Sequence, residues 1–192
     1  MVDFARHARD RVILFDGGMG TQIQGRDLTV EGDFWGQENC SEILVLSRPD
    51  LVTEIHRDYL LAGADAIETN TFGGSPVTLG EFDLQDRAFE INLAAARLAR
   101  QAIDSLGAGE RRRFVVGAIG PGTKLPSLGH IAYRDIESAV AVQAAALIQG
   151  GVDALLIETC QDPLQVRAAV NGSKAALKAE ARQLPILVQV TI

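Results

Sequence analysis

Cysteine, histidine and clustered positive charge are all scarce in this chain, and each scarcity removes a class of function. The two cysteines among 192 residues, Cys40 and Cys160, are too few for a disulfide scaffold and form no close-spaced metal pair, so both read as ordinary reduced thiols. The three histidines, His7, His56 and His130, lack the two-histidine helical spacing of a zinc hydrolase. His56 falls mid-helix, as a face residue. His130 falls on a loop after the third expected strand, where an ordinary surface position is preferred over a place at the strand ends. With a net charge of -7 and Arg111 to Arg113 as the one tight basic cluster, the chain offers a phosphate backbone little to bind, and no nucleic-acid partner is expected. No apolar run approaches the roughly 18 residues of a membrane span, and the opening has no stretch of signal-peptide type. No membrane partner is expected, and the expected location is cytoplasmic.

What is present is an ordinary globular composition, 47% hydrophobic and 22% charged, enough for one sizeable core. Short apolar runs at Val12 to Phe15, Ala66 to Thr69, Phe114 to Ile119, Ala154 to Ile157 and Ile186 to Val190 read as buried strands. Helices alternate with them. One is expected over Arg48 to Ala62, with Ser47 and Asp50 in capping-box-like positions and Gly63 as its stop. A second is expected over Leu84 to Leu106, between Asp83 and Gly107, from apolar residues recurring at three- and four-residue steps. A third runs near Arg134 to Gln149 and stops at Gly150-Gly151. A fourth starts at Asp162-Pro163, an N-cap followed by a first-turn proline.

Such alternation predicts an α/β fold with a parallel sheet, either doubly wound or a (β/α)8 TIM barrel. An internal echo favours the barrel. Gly63-Ala-Asp-Ala-Ile-Glu-Thr69 returns as Gly151-Val-Asp-Ala-Leu-Leu-Ile-Glu-Thr159, the same helix end, strand and acidic tip. Barrel sites are built at strand carboxyl ends, but a whole barrel takes about 250 residues. Residues 1–192 are therefore expected to be one domain, a barrel truncated after about five strands.

The segments following the strands are Asp16-Gly-Gly-Met-Gly-Thr21, Glu68-Thr-Asn-Thr-Phe72, Gly120-Pro-Gly-Thr-Lys124 and Glu158-Thr159. On a barrel they converge at one mouth. Glycine turns offer backbone N–H groups to an anion, and carboxylates suit an ammonium, so together they describe a pocket for a zwitterion. The plainer alternative for Asp16-Gly17-Gly18 is a tight turn, and for Lys124 a solvated side chain. Glu68 and Glu158 close strongly apolar strands and must find water, a partner or a ligand. The Gly120 to Lys124 string lacks the spacing of a nucleotide-binding loop.

At these residues the sequence resembles a known family. Val12-Ile-Leu-Phe-Asp-Gly-Gly-Met-Gly-Thr-Gln-Ile-Gln24, Leu44-Val-Leu-Ser-Arg-Pro-Asp50, Ala62 to Phe72 and Gly151 to Thr159 are similar, in order, to the homocysteine-binding domain of the cobalamin-dependent methionine synthase type. The likeness runs from about Arg11 to Ile192, and Asn39-Cys-Ser-Glu-Ile-Leu-Val-Leu46 favours this branch over betaine-dependent relatives. The resemblance implies a methyltransferase that binds homocysteine, activates its thiol on zinc and transfers to it a methyl group from methylcobalamin and methyltetrahydrofolate, giving methionine. By position, Asp16 and Glu158 would hold the substrate ammonium and the N–H groups around Gly17 and Gly18 its carboxylate, with Glu68, Asn70 and Thr71 as further pocket residues. The family's zinc ligands are three cysteines at positions this chain does not include; no metal site is expected here, and Cys40 and Cys160 match no ligand position. Folate- and cobalamin-binding domains are the implied partners. Two other readings stand beside this one, a phosphate-binding barrel isomerase or aldolase, and a non-catalytic half-barrel that assembles with another chain.

Overall fold

A computed structural model describes residues 4–107 and 111–191; Ile192, where the resemblance ends, lies outside the described residues. Four strands, β1 (Ala66–Glu68), β2 (Phe114–Ile119), β3 (Ala154–Cys160) and β4 (Ile186–Val190), form one sheet in the order β1-β2-β3-β4. Every pair is parallel, as in Ala66 beside Phe114, Val116 beside Ala154 and Leu155 beside Ile186. The helices are α1 (Phe4–Asp10), α2 (Met19–Gln24), α3 (Leu44–Ser47), α4 (Pro49–Ala62), α5 (Pro76–Leu79), α6 (Ala88–Asp104), α7 (Tyr133–Gly150) and α8 (Pro163–Ala179). The α/β class with a parallel sheet holds.

β2, the first two residues of β1 and the first four of β3 are buried, which is why they read as continuous apolar runs. β4, expected to be buried, is an exposed edge strand with Val188 42% and Val190 57% exposed, because among the described residues no further strand pairs beyond it. Ile67, Val115, Ile119, Leu155 and Ile157 pack beneath a helical layer that includes Ala99, Leu147 and Ala169. On the opposite face Ala66, Val116, Ala154 and Leu156 meet Phe4 and Phe114. Phe4 of α1 stands edge-on to Phe114 at 5.2 Å, so the first helix covers the amino end of β2.

The expected strand at Val12 to Phe15 is a correction. It contributes only an isolated parallel bridge, Phe15 beside Ala66, so the described sheet has four strands and not five. Val12 is 92% and Leu14 55% exposed: this segment lies outermost, against a β1 only three residues long, with no layer over its outer side. The expected capping box at Ser47 and Asp50 is also absent. Ser47 already ends α3 and its hydroxyl donates to the Ile43 carbonyl (3.3 Å), while Asp50 pairs with Arg48 (3.0 Å). Pro49 starts α4 without a side-chain cap, since its fixed φ suits the first helical position. The long helix begins at Ala88 rather than Leu84, because Asp83 takes a left-handed φ of 55° and a 3-10 turn over Gln85–Arg87 intervenes. Asp162 caps α8 as expected, accepting the Leu164 N–H at 2.8 Å.

The sequence echo is a repeated structural clasp. Gly63 (φ 117°) ends α4 and Gly151 (φ 92°) ends α7, both left-handed positions that glycine adopts without a Cβ penalty. Two residues later, Asp65 N–H donates to the Leu14 carbonyl and Asp153 N–H to that of Val115, each at 2.7 Å. The two carboxylates accept the N–H groups of the same residues, Leu14 at 3.0 Å and Val115 at 2.8 Å. Each is completed by an arginine, Arg111 at 2.7 Å from Asp65 and Arg100 at 2.6 Å from Asp153. The clasp fixes where each strand starts relative to its neighbour, and so where it ends.

Asp153→Ala removes the acceptor shared by Arg100 and the Val115 N–H and is expected to cost about 2 kcal/mol, the range of hydrogen bonds to charged groups. Urea unfolding measures it, with exposed Arg97→Ala as a control expected within about 0.5 kcal/mol of the parent. An Asp153→Ala loss no larger than the control's would show the clasp to be inert.

Candidate functional site

The carboxyl ends of the strands open into a cavity of about 390 Å³ lined by Asp16 to Gly20, Glu68 to Phe72, Ala118 and Glu158. Three of the four expected strand-end segments meet there. The fourth does not: Gly120 to Lys124 lines a separate small cavity with Cys160 and Gln165. Gln165 Nε2 donates to the carbonyls of Pro121 and Lys124, and Thr123 bonds to Glu81, which draws this loop toward α8 and the 3-10 turn that follows α5. His130 does not line the main cavity; its Nδ1 accepts the Leu125 N–H at 3.4 Å. His56, expected on a helix face, is wholly buried in α4, and burial lowers its pKa to about 4.

Asp16 is fixed by backbone on both sides. Its own N–H donates to the Ala66 carbonyl at 2.9 Å, and its two carboxylate oxygens accept the Glu68 N–H at 3.0 and 3.2 Å. Gly17 and Gly18 follow at the exposed rim, with the Gly18 carbonyl held by the hydroxyls of Tyr59 (3.2 Å) and Thr21 (2.9 Å). A Cβ on Gly17 would lie 3.0 Å from the Tyr59 hydroxyl, so glycine here allows the close approach of α4. At the end of β3 the register against β4 shifts between Ile157 and Cys160, and Thr159 takes a φ of 58°. Such an irregularity bends a strand and re-aims its side chains, here around Glu158.

The floor is a closed hydrogen-bond network. Thr71 hydroxyl donates to the Ala118 carbonyl (2.7 Å), Thr69 and Thr71 hydroxyls lie 2.6 Å apart, and Ala118 N–H donates to Thr69 (3.0 Å). Asn70 Nδ2 donates to the Ser41 carbonyl (2.7 Å). Glu42, buried, accepts the Gly73 N–H (2.7 Å) and braces the loop from the opposite side. Sequence reasoning overlooked Glu42 and the hydroxyl of Tyr59, whose contacts lie 31 and 41 residues away along the chain. Ala118, a small residue inside an apolar strand, carried no signal.

Three carboxyl groups thus share a cavity whose lining, among the described residues, includes no lysine, arginine or histidine. Burial pushes Asp16 up to about 7, and burial followed by the nearby charges of Glu158 and Asp16 pushes Glu68 up to about 8. Burial also raises Glu158. The arrangement has excess negative potential and attracts a cation, and its Asp16 edge continues into a glycine turn. A zinc ion does not fit the described residues, among which no group of three His, Cys, Asp or Glu is placed to hold a metal. Cys40 and Cys160 are buried apart, and burial pushes both thiols up to about 11, the opposite of an activated thiolate. Among the described residues no helix is long and apolar enough to cross a membrane.

The sequence model of a family described as homocysteine S-methyltransferase matches residues 13–192. The chain is 48% identical over 182 residues to methionine synthase of Mycobacterium tuberculosis (strain ATCC 25618 / H37Rv), covering 95% of this chain and 15% of that protein. It is 45% identical over 190 residues to methionine synthase of Mycobacterium leprae (strain TN), covering 99% of this chain and 16% of that protein. Among solved structures it is similar to the homocysteine methyltransferase MmuM from Escherichia coli, with a TM-score of 0.74 and 22% identity to the metallated form. That match covers 95% of this chain and 65% of the solved one. The oxidized form gives 0.72 and 20%, covering 95% and 64%. At such identity the solved structures speak for the fold.

Because the native state holds protons on Asp16 and Glu68 that the unfolded chain has already released, the contribution of these two groups to stability is fully present below about pH 4 and is lost as pH rises toward 7 to 8. Asp16→Asn keeps an acceptor for the Glu68 N–H without the charge. It is expected to melt a few degrees above the parent at pH 8 and alongside it at pH 5, read by calorimetry. A variant melting below the parent at both pH values would overturn this account of the site.

Proposed function

This chain belongs to the homocysteine S-methyltransferase family, and we propose that it supplies the homocysteine-binding part of a methyltransferase of methionine synthase type. The observation that carries this is the convergence of Asp16, Glu68 and Glu158 on one cavity without a basic residue in its lining, beside the Gly17-Gly18 turn. Asp16 and Glu158 take the substrate ammonium. The N–H groups at Gly17 and Gly18 receive its carboxylate. Asn70 and Thr71, whose donors are engaged with Ser41 and Ala118, form the wall with Glu68. The thiol is left to face the methyl donor.

In the same reading residues 1–192 form part of one domain, an arc of a (β/α)8 barrel. The progressive strand order supports it, since a doubly wound sheet reverses its order at a switch point. The chain spans about 15% of the length of its curated relatives, so methyl transfer from methylcobalamin or methyltetrahydrofolate, and partnership with folate- and cobalamin-binding domains, are proposed for a longer protein. Zinc and cobalamin stay with that longer protein. The described residues do not fit a zinc ion. A cytoplasmic location is supported by the two unpaired thiols. A phosphate substrate is disfavoured by the acidic lining and by the separation of the Gly120 to Lys124 loop from the cavity.

Titration calorimetry with L-homocysteine is expected to show one saturable site, weakened about tenfold or more by Asp16→Ala and by Glu158→Ala, the scale of a lost charge-assisted hydrogen bond. Inorganic phosphate is expected not to compete. Absence of homocysteine binding, or displacement by phosphate, would remove this reading.

A further inference from the structure

One ammonium is satisfied by Asp16 and Glu158, which leaves the third carboxyl of the cavity, Glu68, without a role of its own. Its surroundings limit what that role is. The charged groups that act on it are Glu158, from the end of β3, and Asp16, from the segment beside β1, both of its own sign. From β2, which lies between them, the cavity receives only Ala118, and α2 contributes Met19 and Gly20, none of them charged. Helices α6, α7 and α8 add nothing to the lining. The Glu68 N–H is already given to Asp16, so the backbone holds the Glu68 Cα close to the residue that grips the ammonium. A third anion at this place would face two others with a single incoming positive charge, an arrangement that carboxylates relieve by keeping a proton. Burial and the two neighbouring charges push Glu68 to about 8, in keeping with that geometry.

Building on the homocysteine reading, we propose that Glu68 works as a neutral carboxylic acid that donates its O–H hydrogen bond to the substrate carboxylate, and not as a third anion. A protonated carboxyl has one donor and keeps acceptor capacity, so it bridges a bound carboxylate and its surroundings where an ionised one repels it. Asp16 and Glu158 are then the carboxyls left to face the ammonium, whose positive charge favours their ionised forms. The site selects an α-amino acid by its carboxylate as well as by its amine, and the selection at Glu68 is lost when the proton is lost.

The experiment is titration calorimetry from pH 6.5 to 9 on the full chain, with parent, Glu68→Ala and Glu68→Gln, each against L-homocysteine and against 3-aminopropanethiol, the same molecule without its carboxylate. Glu68→Ala is expected to bind homocysteine about tenfold more weakly than the parent at pH 7. Glu68→Gln, an uncharged donor of the same shape, is expected to recover most of that loss. With 3-aminopropanethiol the penalty of Glu68→Ala is expected to vanish, which also shows that the variant is folded. Above pH 8 the parent is expected to lose homocysteine affinity more steeply than Glu68→Gln. Glu68→Gln as weak as Glu68→Ala, an equal penalty with both ligands, or parent affinity rising with pH relative to Glu68→Gln would each overturn the proposal while leaving homocysteine as ligand. A parent that binds no homocysteine would remove the ligand assignment and this proposal together.

Discussion

Strands paired in parallel all finish on one side, and in this chain each of the two Gly-x-Asp clasps fixes the distance from helix end to strand end. Asp65 and Asp153 each take an N–H from the preceding chain segment and a charged group from arginine, so β1 and β3 cannot slide against their neighbours without breaking charge-assisted bonds. Glu68 and Glu158 stand at matching places in the two copies of the echo. Their meeting at one cavity therefore follows from register, and Asp16 joins them because its segment is pinned to β1 from both ends, by Leu14 at the Asp65 clasp and by its own carboxylate on the Glu68 N–H. The same bonds that order the sheet gather the negative charge.

The parts legible in the sequence are those decided by local chemistry. Gly63 and Gly151 stop helices because only a residue without Cβ turns left-handed cheaply, and Asp162-Pro163 starts one because a carboxylate and a fixed φ suit those two positions. Asp16, Glu68 and Glu158 were marked by contrast, as charges closing apolar runs. What misled was context. Val12 to Phe15 has a strand's composition but lies at the edge, where a three-residue β1 offers it one bridge. Ser47 has a cap's chemistry but is consumed by the helix before it. The Gly120 to Lys124 loop follows a strand as the others do, yet Gln165, 44 residues from Pro121, holds it over a different cavity. Glu42 and Tyr59 shape the site through contacts that no periodicity reveals.

A cavity that holds three carboxyl groups against no lining cation is not what folding alone selects, since each of these groups is harder to ionise in the native chain than in the unfolded one. Carboxylates elsewhere in the molecule show the contrast. Asp153 has Arg100 and the Val115 N–H, and Asp65 has Arg111 and the Leu14 N–H, so each is answered from within. Asp16 is answered only by backbone N–H, and Glu68 has carboxylates for neighbours. Burial raises Glu42 as well, but it stands singly on the Gly73 N–H, whereas three carboxyls gather in the cavity at the strand ends, beside an exposed glycine turn. The α-amino acid proposed as the cavity's ligand brings both a positive charge and a carboxylate on one carbon.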